Sequence, residues 1–187
     1  MKDSNFKMVL ILCTVAAVAA FVLSLVNMVT REKIQQEYRQ EFLNGLNAIL
    51  PEYDNEPDKN FSKIKDKNIY IAKNDNKTVG YAIKSISSKG YSGDIVVLVG
   101  VKPDGRINGI EILRHAETPG LGAKITEESW QKSFDNLTVN DGIAVKKDGG
   151  IIDQFSGATI SPRAVCEAVE KGLKFINKNV LESDSDS

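Results

Sequence analysis

The sequence has few of the residues that usually build metal and thiol sites. Its 187 residues include one histidine, His115, and two cysteines, Cys13 and Cys166. Cys13 lies in an apolar run and Cys166 is alone in the rest of the chain, which excludes a disulfide within that part. Because the chain has no Cys-x-x-Cys pair and no cysteine–histidine cluster, a zinc site and a catalytic cysteine–histidine pair are poorly supported. We therefore predict no metal site and no complete active site on this chain alone.

Charge is absent from one part of the chain. Residues 8–30 contain no Asp, Glu, Lys or Arg, and 19 of these 23 residues are hydrophobic. As a helix the run spans roughly 34 Å, enough for a hydrocarbon core of about 30 Å. A second long apolar run is missing, which excludes a polytopic channel. The formal net charge of −1 excludes a basic nucleic-acid binder, so nucleic acid is not expected as a partner.

The apolar run favours an uncleaved, single-span membrane anchor. Ala17-Val18-Ala19 resembles a signal-peptidase site, but the run continues past it to Val26, whereas cleavage normally ends the apolar region. A lipoprotein anchor needs a small residue before Cys13, where Leu12 stands. A cleaved signal peptide stays open as the alternative, and the missing charges disfavour a buried soluble helix.

The orientation of the anchor is only weakly determined. Lys2 and Lys7 precede the apolar run and Arg31 and Lys33 follow it, so the positive-inside rule gives little preference. A short N-terminal tail is easily left in the cytoplasm. We therefore expect residues 1–30 to be a cytoplasmic tail and anchor in the cell (inner) membrane, with the rest outside the cytoplasm.

After the anchor we predict a helical stalk and then a polar segment. Apolar residues recur at spacings of three to four from Ile34 to Leu46, which predicts a helix over residues 31–50. Pro51 ends this stalk. Residues 51–67 are polar and are predicted to be irregular.

The remaining chain is predicted to contain strands joined by tight turns. Runs of apolar residues between turn residues predict strands at 69–71, 78–83, 95–101 and 106–113, and a shorter one at 143–145. Pro103-Asp104-Gly105 predicts a hairpin, and the doubly apolar run 95–99 predicts a central strand covered on both faces. The predicted fold class is therefore α+β with a mostly antiparallel sheet, assigned to residues 51–181 before an acidic tail at 182–187.

Two helices are predicted in this domain. A short one extends from Thr126 through Phe134. In the longer one, Ser161 is suited to cap the N-terminus and Pro162 fits the first helical position. One face of the longer helix carries apolar or small residues at helical spacing, namely Val165, Ala168, Val169, Gly172, Leu173 and Ile176.

A run of small residues stands directly before this longer helix. Ser156, Gly157 and Ala158 would let a ligand approach the backbone closely, and Thr159 and Ser161 add hydroxyl groups. A helix N-terminus favours a phosphate group. A tight loop that merely leads into a helix explains the same residues, so the pattern alone leaves both interpretations open.

The stretch from Asp153 to Ser161 resembles the flavinylation motif of the covalent FMN-binding domain family. In that family a flavin transferase, which uses FAD and magnesium, joins FMN to the motif threonine through a phosphoester bond. The resemblance implies Thr159 as the attachment site, with Ser156, Gly157 and Ala158 around the cofactor. It implies a second contact from Ser161 and a role for Asp153 in recognition by the transferase.

A second pair of segments, 90–95 and 115–122, is similar to the G subunits of Rnf electron-transport complexes, as is the order of anchor, stalk and domain. The resemblance implies that the loop from Glu117 to Gly122 lies against the isoalloxazine ring. Pro119 and Leu121 would offer apolar contact, and the Thr118 hydroxyl and the N–H groups of Gly120 and Leu121 polar contact. Lys124 could stabilise a reduced, anionic flavin.

The resemblance also implies a function. It predicts a relay of electrons inside a ferredoxin:NAD oxidoreductase that translocates Na⁺ or H⁺, with other membrane and iron–sulfur subunits as partners. Two alternatives remain. One is a C-type subunit of a sodium-pumping NADH:quinone oxidoreductase, and the other is an anchored module that binds envelope components without redox chemistry.

Overall fold

The structure is a computed structural model that describes the backbone of residues 2–182 and the side chains from residue 6 to residue 182. It divides the chain into two units, residues 1–41 and residues 42–187. Helix α1 extends from Lys2 to Ile49. Most of it makes up the first unit, and its last two turns belong to the second. The helix predicted over the stalk is thus confirmed. By length and composition α1 could cross a membrane, and its apolar side chains from Phe6 to Val29 are exposed.

The second unit is built on a five-stranded antiparallel sheet whose strands follow one another in sequence order. The strands are β1 (Phe61–Ile64), β2 (Lys67–Asn74), β3 (Lys77–Ser87), β4 (Ile95–Val101) and β5 (Ile107–Arg114). The predicted α+β class with a mostly antiparallel sheet is confirmed. All four longer strands were predicted: β4 has its predicted bounds, β5 is shifted by one residue, and β2 and β3 extend beyond their predicted bounds.

One strand was missed. Strand β1 lies inside the segment predicted to be irregular, because its four residues are too few and too polar to show a clear pattern. It pairs with β2 through a two-residue turn at Lys65 and Asp66, both of which have positive φ (46° and 64°). Asp75 and Asn76 form the same kind of turn between β2 and β3, with φ of 50° and 60°. Two adjacent positive φ angles are typical of the hairpin turn that matches strand twist.

Both faces of the sheet are covered, and β4 is buried along its whole length, as predicted. On one face, the end of α1 packs Leu46 and Ile49 against Leu98. A side chain at Gly100 would overlap the Ile49 backbone, so glycine permits this close approach. On the other face lies α3 (Ile160–Ile176), whose apolar stripe is buried, as predicted.

The remaining elements between β5 and α3 are short. A 3₁₀ turn, Gly122–Thr126, leads into α2 (Glu128–Gln131), which a further 3₁₀ turn extends to Phe134, close to the predicted short helix. The prediction of a strand at 143–145 was wrong. Of these residues only Val145 pairs, through an isolated bridge to Ile152. A π-helical turn, Asn177–Leu181, follows α3, and all but the first residue of the predicted acidic tail lies outside the described residues.

Candidate functional site

A cleft of about 250 Å³ opens at the N-terminus of α3. Three loops form it: the one before β4, the one after β5, and the one that leads into α3. Its walls consist of Tyr91, Glu117, Thr118, Leu121, Gly122, Gly157, Ala158, Thr159, Ile160 and Ser161. The fold thus brings together most of the predicted cofactor-binding residues, although about 35 residues separate the second loop from the third.

The small-residue motif forms a tight turn into the helix. The Ala158 N–H donates to the Phe155 carbonyl at 3.1 Å, and Gly157 has a φ of +79° that glycine adopts without strain. Thr159 then occupies the N-cap position of α3, and its side chain makes no capping hydrogen bond. Its half-buried hydroxyl on the cleft wall is therefore not used to hold the helix.

The predicted cap was wrong. The first helical residue is Ile160, so Ser161 lies inside the first turn instead of capping it. Pro162 is the third helical residue and not the first, as had been predicted. Ser161 is 2% exposed, and its hydroxyl donates at 2.5 Å to Oε2 of Glu117. A cap assignment from sequence depends on where the helix starts, and here the turn at Gly157 lets it start earlier.

An aromatic cluster of Trp130, Phe134 and Phe155 contacts the beginning of the motif. The indole Nε1 of Trp130 donates to the Asp153 carbonyl at 2.7 Å, and its ring packs against Phe155 and Phe134 at centroid distances of 5.3 and 5.2 Å. The Asp153 carboxylate itself is exposed and pairs with Lys146 at 2.7 Å. The backbone of Asp153 therefore belongs to the core while its charge lies on the surface.

Glu117 is a buried carboxylate, 4% exposed, at the junction of the three loops. Its Oε2 accepts the Ser161 hydroxyl, and its Oε1 accepts the Ser92 N–H at 3.1 Å. Its own N–H donates to Nδ1 of His115 at 3.1 Å. Burying a carboxylate is costly unless its oxygens are hydrogen-bonded. These contacts tie the three walls of the cleft to one side chain.

Glycines flank both oxygens of this carboxylate. A Cβ added at Gly122 would overlap the Ser161 hydroxyl and lie 2.7 Å from Glu117 Oε2. A Cβ added at Gly90 would lie 2.8 Å from Glu117 Oε1 and would also overlap the Gly93 carbonyl. The packing around Glu117 therefore depends on two positions without a side chain.

Several predicted residues lie outside the cleft wall. Ser156, Pro119 and Gly120 are exposed on the loops that border it, and Lys124 is exposed on the following 3₁₀ turn. Of the two backbone donors predicted for the flavin, the Leu121 N–H already donates to the Thr118 carbonyl at 3.2 Å.

Two cleft residues were not singled out from the sequence. Tyr91 stands in the Gly-Tyr-Ser-Gly stretch that carried the resemblance, and Ile160 follows the motif threonine. Both are exposed apolar side chains, 71% and 44% accessible, and Leu121 adjoins them at 47%. Several exposed apolar side chains that line one cleft are typical of a ligand-binding surface, and only the tertiary structure brings these three together.

The lining of the cleft fits FMN. Hydroxyl, glycine and a helix N-terminus are suited to a phosphate group, and the exposed Tyr91, Leu121 and Ile160 offer apolar surface for a flat ring. The volume is slightly below the range of roughly 300–1,000 Å³ for small-molecule sites. A cofactor larger than the cleft would lie partly on this apolar rim.

A second cavity, of about 430 Å³, shares Ile160 with the cleft but has a charged lining. Arg163 donates to both oxygens of Asp148 at 2.5 and 2.6 Å, which holds the pKa of that carboxyl below its usual range. Hydrogen bonds from Lys89, Ser87 and Lys171 lower the pKa of Glu167 to about 2. Burial raises the pKa of the Cys166 thiol to about 12.

Comparison with known families first defines the class of the domain. The FMN-binding domain family matches residues 90–174, a range that includes every residue of the cleft wall. The RnfG N-terminal region family matches residues 1–49, the extent of α1. The domain is thus an FMN-binding domain, and FMN is the cofactor that its cleft fits.

Close relatives define the family. A protein of Vibrio cholerae is 36% identical over 91% of this chain and 89% of its own length. One from Shewanella amazonensis is 37% identical, covering 97% and 93%, and one from Haemophilus influenzae 38%, covering 91% and 87%. All three are named as the G subunit of an ion-translocating oxidoreductase complex. The chain belongs to this family of enzyme subunits, and the family together with the apolar helix α1 indicates membrane association.

Two solved structures share the fold. NqrC of Shewanella oneidensis has a TM-score of 0.53 at 23% identity, covering 69% of this chain and 70% of that one. The C subunit of the Na⁺-translocating NADH-quinone reductase from Parabacteroides distasonis has a TM-score of 0.51 at 18% identity, covering 74% and 82%. At these identities the likeness shows a common fold alone.

Proposed function

We propose that this chain carries FMN bound covalently to Thr159 and relays electrons within an Rnf-type ferredoxin:NAD oxidoreductase that translocates Na⁺ or H⁺. The observation that carries the proposal is the position of Thr159. It stands at the N-cap of α3, on the wall of a cleft whose lining suits FMN, and its hydroxyl is not used as a cap. A phosphoester there would lie at the positive end of a 17-residue helix.

The attachment would require a flavin transferase that acts on FAD. Thr159 Oγ1 would form a bond to the flavin-side phosphorus while the phosphoanhydride bond to AMP breaks. AMP would leave, and the hydroxyl proton would pass to a base of the transferase. The exposed Asp153 carboxylate, 70% accessible beside Lys146, supports its role as a recognition point for that enzyme, because a visiting protein can reach it.

The residues of this chain would hold the cofactor between its partners. Tyr91, Leu121 and Ile160 would cover part of the ring, Gly157 and Ala158 would allow close backbone approach, and Thr159 would prevent dissociation. FMN, when bound, can exchange one or two electrons and so connect two-electron donors with one-electron iron–sulfur carriers. We expect those donors and acceptors on other membrane and iron–sulfur subunits.

We prefer this function to that of a C-type subunit because the curated relatives at 36–38% identity are G subunits, whereas the C-subunit structures are 18–23% identical. We further propose that α1 is a single membrane span with the flavin domain on the extracytoplasmic side. A covalent bond would prevent loss of FMN there.

The test is a pair of valine substitutions on the same cleft. The full chain, produced together with a flavin transferase, should be yellow, fluoresce in a denaturing gel and gain the mass of one FMN. Thr159→Val should abolish all three signals, because valine has the shape of threonine without its hydroxyl. Thr118→Val removes a second cleft hydroxyl, one that could contact the ring but cannot replace the attachment oxygen, so this variant should still gain the mass of one FMN.

A colourless chain in the presence of an active transferase would refute the flavoprotein proposal and favour a non-redox module. The orientation has a separate test, since a reporter enzyme that works only outside the cytoplasm can be fused after the last residue. Activity of a cytoplasmic reporter at that position would reverse the proposed orientation.

A further inference from the structure

Two hydroxyl side chains stand at the beginning of α3, and the structure treats them differently. Thr159 is half-buried on the cleft wall and makes no capping hydrogen bond. Ser161, two residues later, is 2% exposed and donates to Glu117. Because both belong to the first turn of one helix, whatever anchors Ser161 also decides where the Thr159 hydroxyl lies.

The anchor is a carboxylate in an unusual setting. Glu117 is 4% exposed, and the contacts of its oxygens are the Ser161 hydroxyl and the Ser92 N–H; among the described residues no lysine or arginine forms an ion pair with it. A buried charge without a partner of opposite sign weakens a fold relative to apolar packing. The two hydrogen bonds of its oxygens instead fix the positions of the groups that donate them.

The geometry of Glu117 joins segments that are distant in sequence. Its two oxygens connect the loop before β4, through Ser92, with the start of α3, through Ser161, while its own backbone belongs to the loop after β5. Gly90 and Gly122 leave room for the carboxylate on both sides. One side chain thus sets the separation between the apolar rim of the cleft and the first turn of α3.

We propose that Glu117 is a positioning residue for flavin attachment, which, by binding the Ser161 hydroxyl, holds the first turn of α3 so that the Thr159 hydroxyl is presented to the flavin transferase. The proposal rests on the proposed attachment at Thr159. Glu117 does not touch the transferred group in this scheme. It acts through Ser161, and it keeps that second hydroxyl buried and out of reach of the reaction.

The test is a double-mutant cycle on the rate of flavin incorporation into the full chain. In-gel fluorescence and intact mass would follow transfer from FAD by a purified transferase. Glu117→Ala and Ser161→Ala should each lower the initial rate about tenfold, the effect of a lost hydrogen bond of about 1.4 kcal/mol. The double variant should be no slower than either single variant, because both remove the same contact.

Two controls separate positioning from general damage. Glu117→Gln keeps an acceptor oxygen for Ser161, so its rate should stay closer to that of the unchanged chain than the rate of Glu117→Ala does. Glu127→Ala removes an exposed glutamate and should leave the rate unchanged. Near-UV circular dichroism would verify folding. If Glu117→Ala does not fold, the rate of Ser161→Ala decides, because that variant removes the same hydrogen bond, and an unchanged rate for it would overturn the proposal.

Two further results would overturn it. One is an unchanged rate for a folded Glu117→Ala variant. The other is a double variant slower by the product of the two single effects, which would mean that Glu117 and Ser161 act independently. Absence of flavin from the unchanged chain would instead contradict attachment at Thr159, so the two failures are distinguishable.

Discussion

The two cavities that meet at Ile160 use their polar groups in opposite ways. In the larger one the charges are engaged with one another, as in the pairing of Arg163 with Asp148 and of Glu167 with Lys89 and Lys171. In the smaller one the Thr159 hydroxyl makes no capping bond, and a single buried carboxylate organises the walls. Volume therefore does not identify the functional site, because groups that are already paired have little capacity left to bind a ligand.

The largest expected effect concerns Cys166, which lines the larger cavity but is 3% exposed. With its pKa raised to about 12 by burial, few of these thiols are ionised at pH 8. In a Cys13→Ser background, alkylation by iodoacetamide should be roughly a thousandfold slower in the folded chain than in urea. Mass spectrometry would measure both rates. Comparable rates would show that the larger cavity holds a reactive thiol, which would contradict the difference between the two cavities.

A matched pair of glycine substitutions would sharpen the comparison next. A Cβ at Gly150 would overlap the backbone of Ala144, which lines the larger cavity and cannot shift easily. Gly150→Ala should lower the free energy of unfolding by about 1–3 kcal/mol or more, measured by urea denaturation in detergent. The folded fraction should still acquire flavin at the usual rate.

At Gly122 the added Cβ meets side-chain atoms instead, the Ser161 hydroxyl and Glu117 Oε2. Since side chains yield more readily than backbone, Gly122→Ala should cost less stability, about 1 kcal/mol. Its flavin incorporation should nevertheless fall, as expected if the smaller cleft is the attachment site. Equal incorporation in the Gly122 and Gly150 variants would contradict the distinction between the cavities.

The smallest effect is expected from Glu167, because water screens its partners. Its folded pKa of about 2 lies below the ordinary value of 4.5, so its contribution to stability is present above pH 4.5 and is lost as the pH falls toward 2. Glu167→Gln should lower stability by at most about 1 kcal/mol at pH 7. The difference from the unchanged chain should shrink over that acidic window in thermal melts, and flavin attachment should not change. A difference that persists at pH 2 would mean that the carboxylate charge is not its cause.

Much of the fold could be predicted because its signals are local. The 23 uncharged residues determine an apolar helix, and alternating apolar runs with turn residues determine β2 to β5. Strand β1 was not predicted, because its four residues are half polar and form a strand only by pairing with β2. The bridge at Val145 shows the reverse case, in which an apolar triplet lacks a neighbouring strand with which to form a longer ladder.

The site was predictable in outline for a different reason. The small residues around Thr159 are consecutive, so their pattern is visible in the sequence, and the cleft does contain Thr159 and its neighbours. Tyr91 and Ile160 become part of it only when three loops meet. Nothing local distinguishes the Ser161 hydroxyl from that of a capping serine, since its partner Glu117 lies 44 residues away.

The sequence by itself determined the apolar helix, four of the five strands and the residue types of the motif, because these depend on composition and on short-range spacing. Only the tertiary structure decided which hydroxyl is available, which carboxylate is buried and which cavity has its charges already paired. Those properties depend on contacts between distant segments, and burial changes the free energy of a polar group more than its neighbours in the chain do.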